Sequence, residues 1–239
     1  MDWHNRANGD ACSLFNLGWT ALSAPNRLHR GKFITVEGGE GAGKSTQVAL
    51  LVAALSRAGI AAQATREPGG SPGAEAIRGL LLQGESERWD GTSEVLLFFA
   101  ARHDHVVHTI EPALATGRWV VCDRFNDSTI AYQGYGRGFS LDDLATLRRV
   151  AIGDFEPDLT FILDIPVEEG LTRIGHRSPI TDRFENLDRE FHQRLREGFL
   201  TIAKAEPARC MVIDASGDVE TVHRAIIAAV AERLSIALS

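Results

Sequence analysis

A glycine-rich stretch between a strand pattern and a helix pattern is the feature that most constrains this chain. The apolar run KFITVEG at 32–38 breaks at a glycine, and KSTQVALLVAALSRAG at 44–59 has the periodicity of a helix. Between them, GGEGAGKS at 38–45 matches the Walker A pattern in the strand–loop–helix context that this pattern requires. The stretch therefore predicts a loop whose backbone N–H groups surround phosphate oxygens at a helix N-terminus.

The residues of this phosphate loop (38–45) have distinct expected roles. Lys44 would bridge the β- and γ-phosphates of a nucleoside triphosphate, and the Ser45 hydroxyl would ligate Mg²⁺. Glu40 is unexpected, because a carboxylate in the middle of an anion-binding loop would repel the anion. The predicted residues of the nucleotide site are Gly38, Gly39, Glu40, Gly41, Ala42, Gly43, Lys44, Ser45 and Thr46.

Apolar runs alternate with helical patterns along the rest of the chain. A strand running into a Pro-Gly loop is predicted at 60–70, further strands at 118–124, 158–165 and 208–214, and helices at 72–83, 91–116, 125–134, 140–153, 167–175, 188–205 and 218–236. This order predicts an α/β domain of three layers, with a five-stranded parallel sheet covered by helices on both faces. We expect the ligand site at the edge where the carboxyl ends of the strands meet.

Composition disfavours several classes of function. The net charge of −7 argues against binding of nucleic-acid polymers, which would require a basic stripe. The three cysteines, Cys12, Cys122 and Cys210, have neither metal-ligand spacing nor the pattern of a disulfide framework, which favours the cytoplasm. No apolar run reaches the roughly 18 residues of a membrane span, so no membrane association is expected.

The first 30 residues differ from the rest of the chain. Residues 1–30 are rich in Asn, Gly, Ser and Arg and lack periodicity. We expect an N-terminal extension there, either disordered or produced by a start codon placed too early. The folded domain is predicted at 31–239, with no internal repeat and no linker.

Two further patterns could contribute to a ligand site. Asp123 and Arg124 follow the third strand, where the guanidinium could hold a phosphate bidentately; a structural ion pair is the alternative. Phe98 and Arg102 are four residues apart on one helix, so a ring could stack on a base while the guanidinium reaches its polar edge. A phenylalanine on an amphipathic helix is more commonly a core residue, and both interpretations stay open.

The sequence has no Asn-Lys-x-Asp signature, which argues against a GTPase of the Ras type.

Five segments together resemble the bacterial thymidylate kinase family. They are FITVEGGEGAGKSTQ, TREPGG, EVLLFFAAR, DRFNDSTIAYQGYGRG and DFEPDLTFILD, in the family's order and spacing. The resemblance runs from about residue 31 to the C-terminus. It implies the fold of P-loop nucleoside-monophosphate kinases, transfer of the ATP γ-phosphoryl group to dTMP with Mg²⁺, and a homodimer.

The resemblance also implies roles for individual residues. Glu40 would accept a hydrogen bond from the deoxyribose 3′-hydroxyl, Phe98 would stack on thymine, and Asp123 would lie near Mg²⁺ or its waters. Arg124 and Arg78 would hold the acceptor phosphate. The full set expected at dTMP is Glu40, Arg78, Phe98, Arg102, Arg124, Ser128, Thr129, Tyr132 and Gln133.

The stretch RIGHRSPITDRFEN at 173–186 would form a mobile lid over the triphosphate; a solvated loop is the alternative. In similar bacterial enzymes the lid supplies a basic residue that the phosphate loop lacks. Arg177 and Arg183 would then stabilise transition-state charge, although Arg173 could exchange roles with Arg177. The expected catalytic residues are Lys44, Arg124, Arg177 and Arg183, and the expected metal ligands are Ser45, Asp123 and Glu185.

Three other functions stay open on the sequence alone. A kinase for another nucleotide such as dUMP would differ only in the base pocket, where a methyl group contributes about 1–3 kcal/mol of discrimination. A deoxynucleoside kinase would need a general base for a 5′-hydroxyl. A non-catalytic subunit would use the phosphate loop only as a switch.

Overall fold

The computed structural model describes residues 30–84, 88–175 and 187–238, and a parallel sheet forms the centre of this part of the chain. Its five strands are β1 (Phe33–Gly38), β2 (Ala62–Arg66), β3 (Trp119–Asp123), β4 (Leu159–Asp164) and β5 (Cys210–Asp214). The order is β2-β3-β1-β4-β5, and every neighbouring pair is parallel. The predicted five-stranded parallel sheet is confirmed.

Helices connect these strands at the predicted places. They are α1 (Lys44–Arg57), α2 (Pro72–Leu82), α3 (Gly91–His105), α4 (Glu111–Ala115), α5 (Asn126–Thr129), α6 (Leu141–Ile152), α7 (Val167–Gly175), α8 (Arg189–Ala205) and α9 (Val219–Leu234). Side-chain caps explain several of the starts: Asp90, Asp188 and Asp218 accept hydrogen bonds from backbone N–H groups in the first turns of α3, α8 and α9. Among the described residues, no helix is long and apolar enough to cross a bilayer.

Two segments have wider turns than the sequence predicted. The predicted helix at 91–116 is interrupted by a π-helical stretch, Val106–Ile110, between α3 and α4. The predicted helix at 125–134 consists of α5 followed by a second π-helical stretch, Ile130–Gly136. Such turns are frequent at functional sites, and the second one carries Tyr132 and Gln133.

The core consists of apolar clusters on the two faces of the sheet. Ile34 and Val36 of β1 share one cluster with α1 and α9, whereas Phe33 belongs to another with Val120 of β3 and Ile110. α8 packs on β4 and β5 through a further cluster. Alternate residues of a strand point to opposite faces, so these clusters give the three layers expected from the sequence.

The register of the strands brings polar residues to one level at the carboxyl edge. Asp123 of β3 lies opposite Val36 of β1 on one side and Arg66 of β2 on the other. The backbone N–H of Arg124 donates to Val36 O, and that of Glu67 donates to Asp123 O. The segments that follow β1, β2 and β3 therefore start side by side, as expected for a site in a parallel sheet.

Candidate active site

The phosphate loop connects β1 to α1, and two of its carbonyl oxygens accept hydrogen bonds from its own lysine. Gly41 and Gly43 have φ angles of 71° and 86°, which glycine adopts without a Cβ penalty. The Lys44 ammonium donates to the carbonyl oxygens of Gly38, at 3.1 Å, and Gly39, at 2.7 Å. Burial, together with the nearby Arg124 charge, lowers the pKa of Lys44 to about 8. The ammonium is thus held over the loop where a phosphate would bind.

The loop also contacts α7, the helix that precedes the predicted lid. A Cβ on Gly41 would lie 2.1 Å from the carbonyl oxygen of Gly170, and a Cβ on Gly170 would lie 2.4 Å from that of Glu40. Both distances are shorter than any real contact, so the two backbones touch only because both residues are glycine. The phosphate loop and α7 are therefore packed backbone against backbone.

The Ser45 hydroxyl donates to Oδ2 of Asp123 at 2.5 Å. Both groups supply the hard oxygen atoms that Mg²⁺ prefers, and Mg²⁺ sites commonly use one or two protein ligands beside waters and substrate phosphates. This pair therefore fits a magnesium ion. The third predicted ligand, Glu185, lies outside the described residues.

Arg124 occupies an unusual backbone conformation beside Glu40. Its φ is 71°, a left-handed value that is uncommon for a residue other than glycine. The guanidinium donates to Glu40 Oε1 at 2.8 Å and to Gly38 O at 3.0 Å, and it lies over the Tyr132 ring at 4.9 Å. The Tyr132 hydroxyl also donates to Glu40.

These contacts resolve the apparent misfit of Glu40 in an anion site. Burial alone would raise the pKa of Glu40, but the charges of Arg124 and Lys44 and the Tyr132 hydrogen bond lower it to about 2. Burial would likewise lower the pKa of Arg124, whereas the carboxylate of Glu40 raises it above its ordinary value. Glu40 is an ionised partner of the guanidinium, and its charge is compensated locally.

A second buried carboxyl, at the end of β1, has a role that the sequence did not predict. Glu37, the fifth residue of β1, accepts from the Phe125 N–H at 2.7 Å and from the Ser128 hydroxyl at 2.5 Å. Burial and the neighbouring Asp127 raise the pKa of Glu37 to about 7. The carboxyl ties the turn after β3 to β1 and so fixes the segment that carries Arg124.

The far end of the site lies against α3. Arg102 is only 2% exposed; its Nε donates to Glu67 at 2.8 Å, and one terminal nitrogen donates to Phe125 O and to Thr129 Oγ1. Glu67 also contacts His105 Nδ1 at 3.0 Å. The sequence places Glu67, in TREPGG, at the end of the second predicted strand without a role, and it gave no signal for His105.

A cavity of about 230 Å³ joins the phosphate loop to this far end. It brings together the predicted residues Glu40, Gly41, Gly43, Lys44, Ser45, Arg78, Phe98, Arg102, Asp123, Arg124, Ser128, Thr129, Tyr132 and Gln133, and adds Arg66, Glu67, Pro68, Leu82 and Phe125. Arg78 donates to Pro68 O at 2.6 Å at its rim. Of the other predicted residues, Gly38 and Gly39 line a smaller neighbouring pocket, Ala42 is buried and Thr46 is exposed.

The predicted lid is only partly described. Arg177 and Arg183 lie outside the described residues. Arg173, in the last turn of α7, donates to the carbonyl oxygens of Ala215 and Ser216 at 3.0 and 3.1 Å. It therefore joins α7 to the loop after β5.

A phosphate loop after the first strand of a five-stranded parallel sheet defines a P-loop nucleotide-binding protein of the α/β class. The family model described as thymidylate kinase matches residues 36–226. The chain belongs to the thymidylate kinase family.

Relatives of known name agree over most of the chain. It is 57% identical over 212 residues to a thymidylate kinase of Rhodopseudomonas palustris strain CGA009, covering 87% of this chain and 92% of the relative. It is 52% identical over 212 residues to one from Bradyrhizobium sp. strain ORS 278, covering 88% and 94%. The crystal structure of thymidylate kinase from Ehrlichia chaffeensis aligns with a TM-score of 0.67 and 40% identity, covering 84% of this chain and 99% of that one.

Proposed function

We propose that this enzyme transfers the γ-phosphoryl group of ATP to dTMP, giving ADP and dTDP. The observation that carries the proposal is the cavity in which a phosphate loop and an aromatic–arginine pocket face each other. The loop end is suited to a donor triphosphate, and the pocket is suited to a flat base. Arg124 lies between them, where two phosphate groups would meet.

On the donor side, the backbone of the phosphate loop would hold the phosphates of ATP and Lys44 would contact the transferred group. Lys44 now donates to two loop carbonyls, so its ammonium would exchange those contacts for phosphate oxygens. Ser45 and Asp123 would hold Mg²⁺, which supplies compensation of phosphate charge when it is bound.

On the acceptor side, Arg124 would bind the dTMP phosphate while Glu40 keeps its guanidinium in place. Phe98 would stack on the base, and Arg102 would donate to a carbonyl oxygen at the base edge. The acceptor phosphate is ionised near neutral pH and needs no general base. Catalysis then rests on alignment and on compensation of charge, as is usual for phosphoryl transfer.

The lid would complete the site. We assign Arg177 and Arg183 to stabilisation of the transferring phosphoryl group, with Glu185 near Mg²⁺. We place the adenine of ATP beside the loop after β5. The contacts of Arg173 with Ala215 and Ser216 in that loop support a different role for Arg173, that of shaping the adenine side of the site.

The remaining assignments are proposals on the same basis. We take 31–239 as the kinase domain, 173–186 as its lid and 1–30 as an extension, and we place the protein in the cytoplasm, which the free thiols of Cys122 and Cys210 support. Exposed apolar side chains on three neighbouring helices, Leu80, Leu96 and Val150, support a homodimer.

A coupled assay for ADP release tests the reaction, with ATP, Mg²⁺ and one acceptor at a time. We expect dTMP to drive turnover, dUMP to be a weaker acceptor and thymidine to be inactive. Turnover with thymidine instead of dTMP would indicate a deoxynucleoside kinase. ADP release that does not depend on dTMP would overturn the proposed function.

A further inference from the structure

Glu94 is a buried acid on the helix face that lines the base pocket. It is 1% exposed and precedes Phe98 and Arg102 by one and two turns of α3, so the three side chains share one face. A buried carboxylate is costly unless it is paired and hydrogen-bonded. Its burial beside Gln133, a residue that lines the pocket, therefore requires a reason.

Two of the contacts of Glu94 indicate that reason. Gln133 donates from its side-chain nitrogen to Glu94 Oε1 at 2.9 Å, and Arg137 Nε lies 3.3 Å from the same oxygen. Glu94 Oε1 therefore accepts from an amide nitrogen and faces a guanidinium, and both of these groups are hydrogen-bond donors. The amide nitrogen of Gln133 must then face Glu94, so its carbonyl oxygen is the group that this amide can offer to the cavity it lines.

The hydrogen-bond donor of the base pocket, Arg102, is also held in place by contacts with neighbouring residues. Arg102 donates from its Nε to Glu67 and from one terminal nitrogen to Phe125 and Thr129. Its other terminal nitrogen donates to Asn126 Oδ1 at 3.4 Å, the longest of these hydrogen bonds. The pocket wall therefore holds an oriented acceptor, the carbonyl of Gln133, and an oriented donor, the guanidinium of Arg102.

We propose that Glu94 is a positioning residue that sets base specificity by fixing the side-chain amide of Gln133. The inference rests on the proposed function and adds a determinant of specificity to it. An acceptor beside a donor complements a pyrimidine with N3–H and a 4-oxo group. It mismatches a pyrimidine with an unprotonated N3 and a 4-amino group, whose pattern is reversed.

The test compares two acceptors that differ only in this pattern, dTMP and 5-methyl-dCMP. In Glu94→Gln, the new amide can accept from or donate to Gln133. The side-chain amide of Gln133 can therefore rotate and exchange the positions of its oxygen and nitrogen. We expect the ratio of kcat/KM for dTMP to that for 5-methyl-dCMP to fall about tenfold, the size of one hydrogen bond. Most of the fall in kcat/KM for dTMP should come from a higher KM for dTMP. KM for ATP should stay within about twofold of the wild-type value.

A double-mutant cycle separates this role from a purely structural one. Because Glu94 is proposed to act through Gln133, the double variant with Glu94→Gln and Gln133→Ala should have the same dTMP to 5-methyl-dCMP ratio of kcat/KM as Gln133→Ala alone, within about twofold. Asp127→Asn is the matched control, since Asp127 is also buried and also paired with an arginine, Arg209, but does not line the cavity. It should lower the melting temperature without changing the ratio.

The exchanged pair, E94Q with Q133E, keeps the test valid if Glu94→Gln alone folds poorly. Its carboxylate at 133 can only accept, so the preference for dTMP should return to the wild-type value. The inference is overturned if Glu94→Gln keeps the wild-type ratio, if its effect persists fully without the Gln133 amide, or if the exchanged pair fails to restore the preference. A wild type without dTMP-dependent turnover would instead overturn the reaction itself.

Discussion

Arg124 and Glu40 form an ion pair of 2.8 Å that links the turn after β3 to the middle of the phosphate loop. The pair places a positive charge where the acceptor phosphate is proposed to bind, although the residue within the loop is an acid. Because Tyr132 donates to the same carboxylate, three segments of the chain meet at this point. The loop therefore has a donor side made of backbone N–H groups and an acceptor side made of side chains.

Glu40→Ala is expected to weaken the binding of dTMP more than the binding of ATP. The substitution removes the partner that orients Arg124 and the proposed acceptor for the 3′-hydroxyl, so KM for dTMP should rise at least about tenfold. KM for ATP should change less than about threefold, because the donor phosphates face backbone N–H groups. Steady-state kinetics with each substrate varied in turn measures both. A selective loss of ATP affinity would contradict this role of Glu40.

Arg124→Lys is expected to lower kcat/KM for dTMP about 100-fold or more. An ammonium cannot bind Glu40, the Gly38 carbonyl and a phosphate with the forked geometry of a guanidinium. Arg149→Lys, on the exposed surface of α6, is the matched control and should leave the kinetics unchanged. An active Arg124→Lys enzyme would show that charge alone is sufficient at this position.

Gly170→Ala is expected to lower stability and raise KM for ATP. The new Cβ would meet Glu40 O at 2.4 Å, so the phosphate loop or α7 must move, at a cost of about 1–3 kcal/mol. Gly79→Ala is the control, because this helical glycine has open space around it and alanine should stabilise α2 by about 0.5–1 kcal/mol. Urea unfolding measures both changes, and equal effects would contradict the close contact.

Glu37 is expected to make the protein less stable as the pH rises. Its pKa is raised from 4.5 to about 7 in the folded chain, so between those values the folded state holds a proton that the unfolded state has lost. The contribution of this group to the free energy of unfolding should therefore fall between about pH 5 and 8, by on the order of 3 kcal/mol. Glu37→Gln, which does not titrate, should gain stability relative to the wild type over that range.

Glu40→Gln is the control for this titration. The pKa of Glu40 is lowered to about 2, so its contribution to stability is present above about pH 4.5 and is lost only as the pH falls toward 2. The difference in stability between Glu40→Gln and the wild type should therefore be constant between about pH 5 and 8. The same pH slope for both variants would contradict the assignment of the titration to Glu37.

Substitutions of the arginines in and beside the lid are expected to change different kinetic parameters. Arg177→Ala and Arg183→Ala should lower kcat, by about 10³-fold for the residue that contacts the transferring group. Arg173→Ala should mainly raise KM for ATP, because it releases α7 from Ala215 and Ser216. Near-normal turnover in both Arg177→Ala and Arg183→Ala would refute the catalytic lid.

The sequence was sufficient to predict the sheet, because each strand is a short apolar run bounded by Gly, Pro or charged residues. It also predicted most residues of the cavity, because these lie in motifs that are local in sequence. The two π-helical stretches were not predicted, since a single wide turn depends on packing and barely changes the spacing of apolar residues. No role was predicted for Glu37, Glu67 or Glu94 for a related reason: each contacts a residue at least 35 positions away, and no local pattern reveals that contact.

The left-handed backbone of Arg124 has a consequence for selection and engineering. Glycine or asparagine would adopt a φ of 71° more readily than arginine, so the backbone alone favours replacing this residue. Only the guanidinium, however, reaches Glu40 and the space proposed for the acceptor phosphate. A library screened for thermostability alone would thus tend to lose the arginine and, with it, catalysis. Selection at this position has to include turnover.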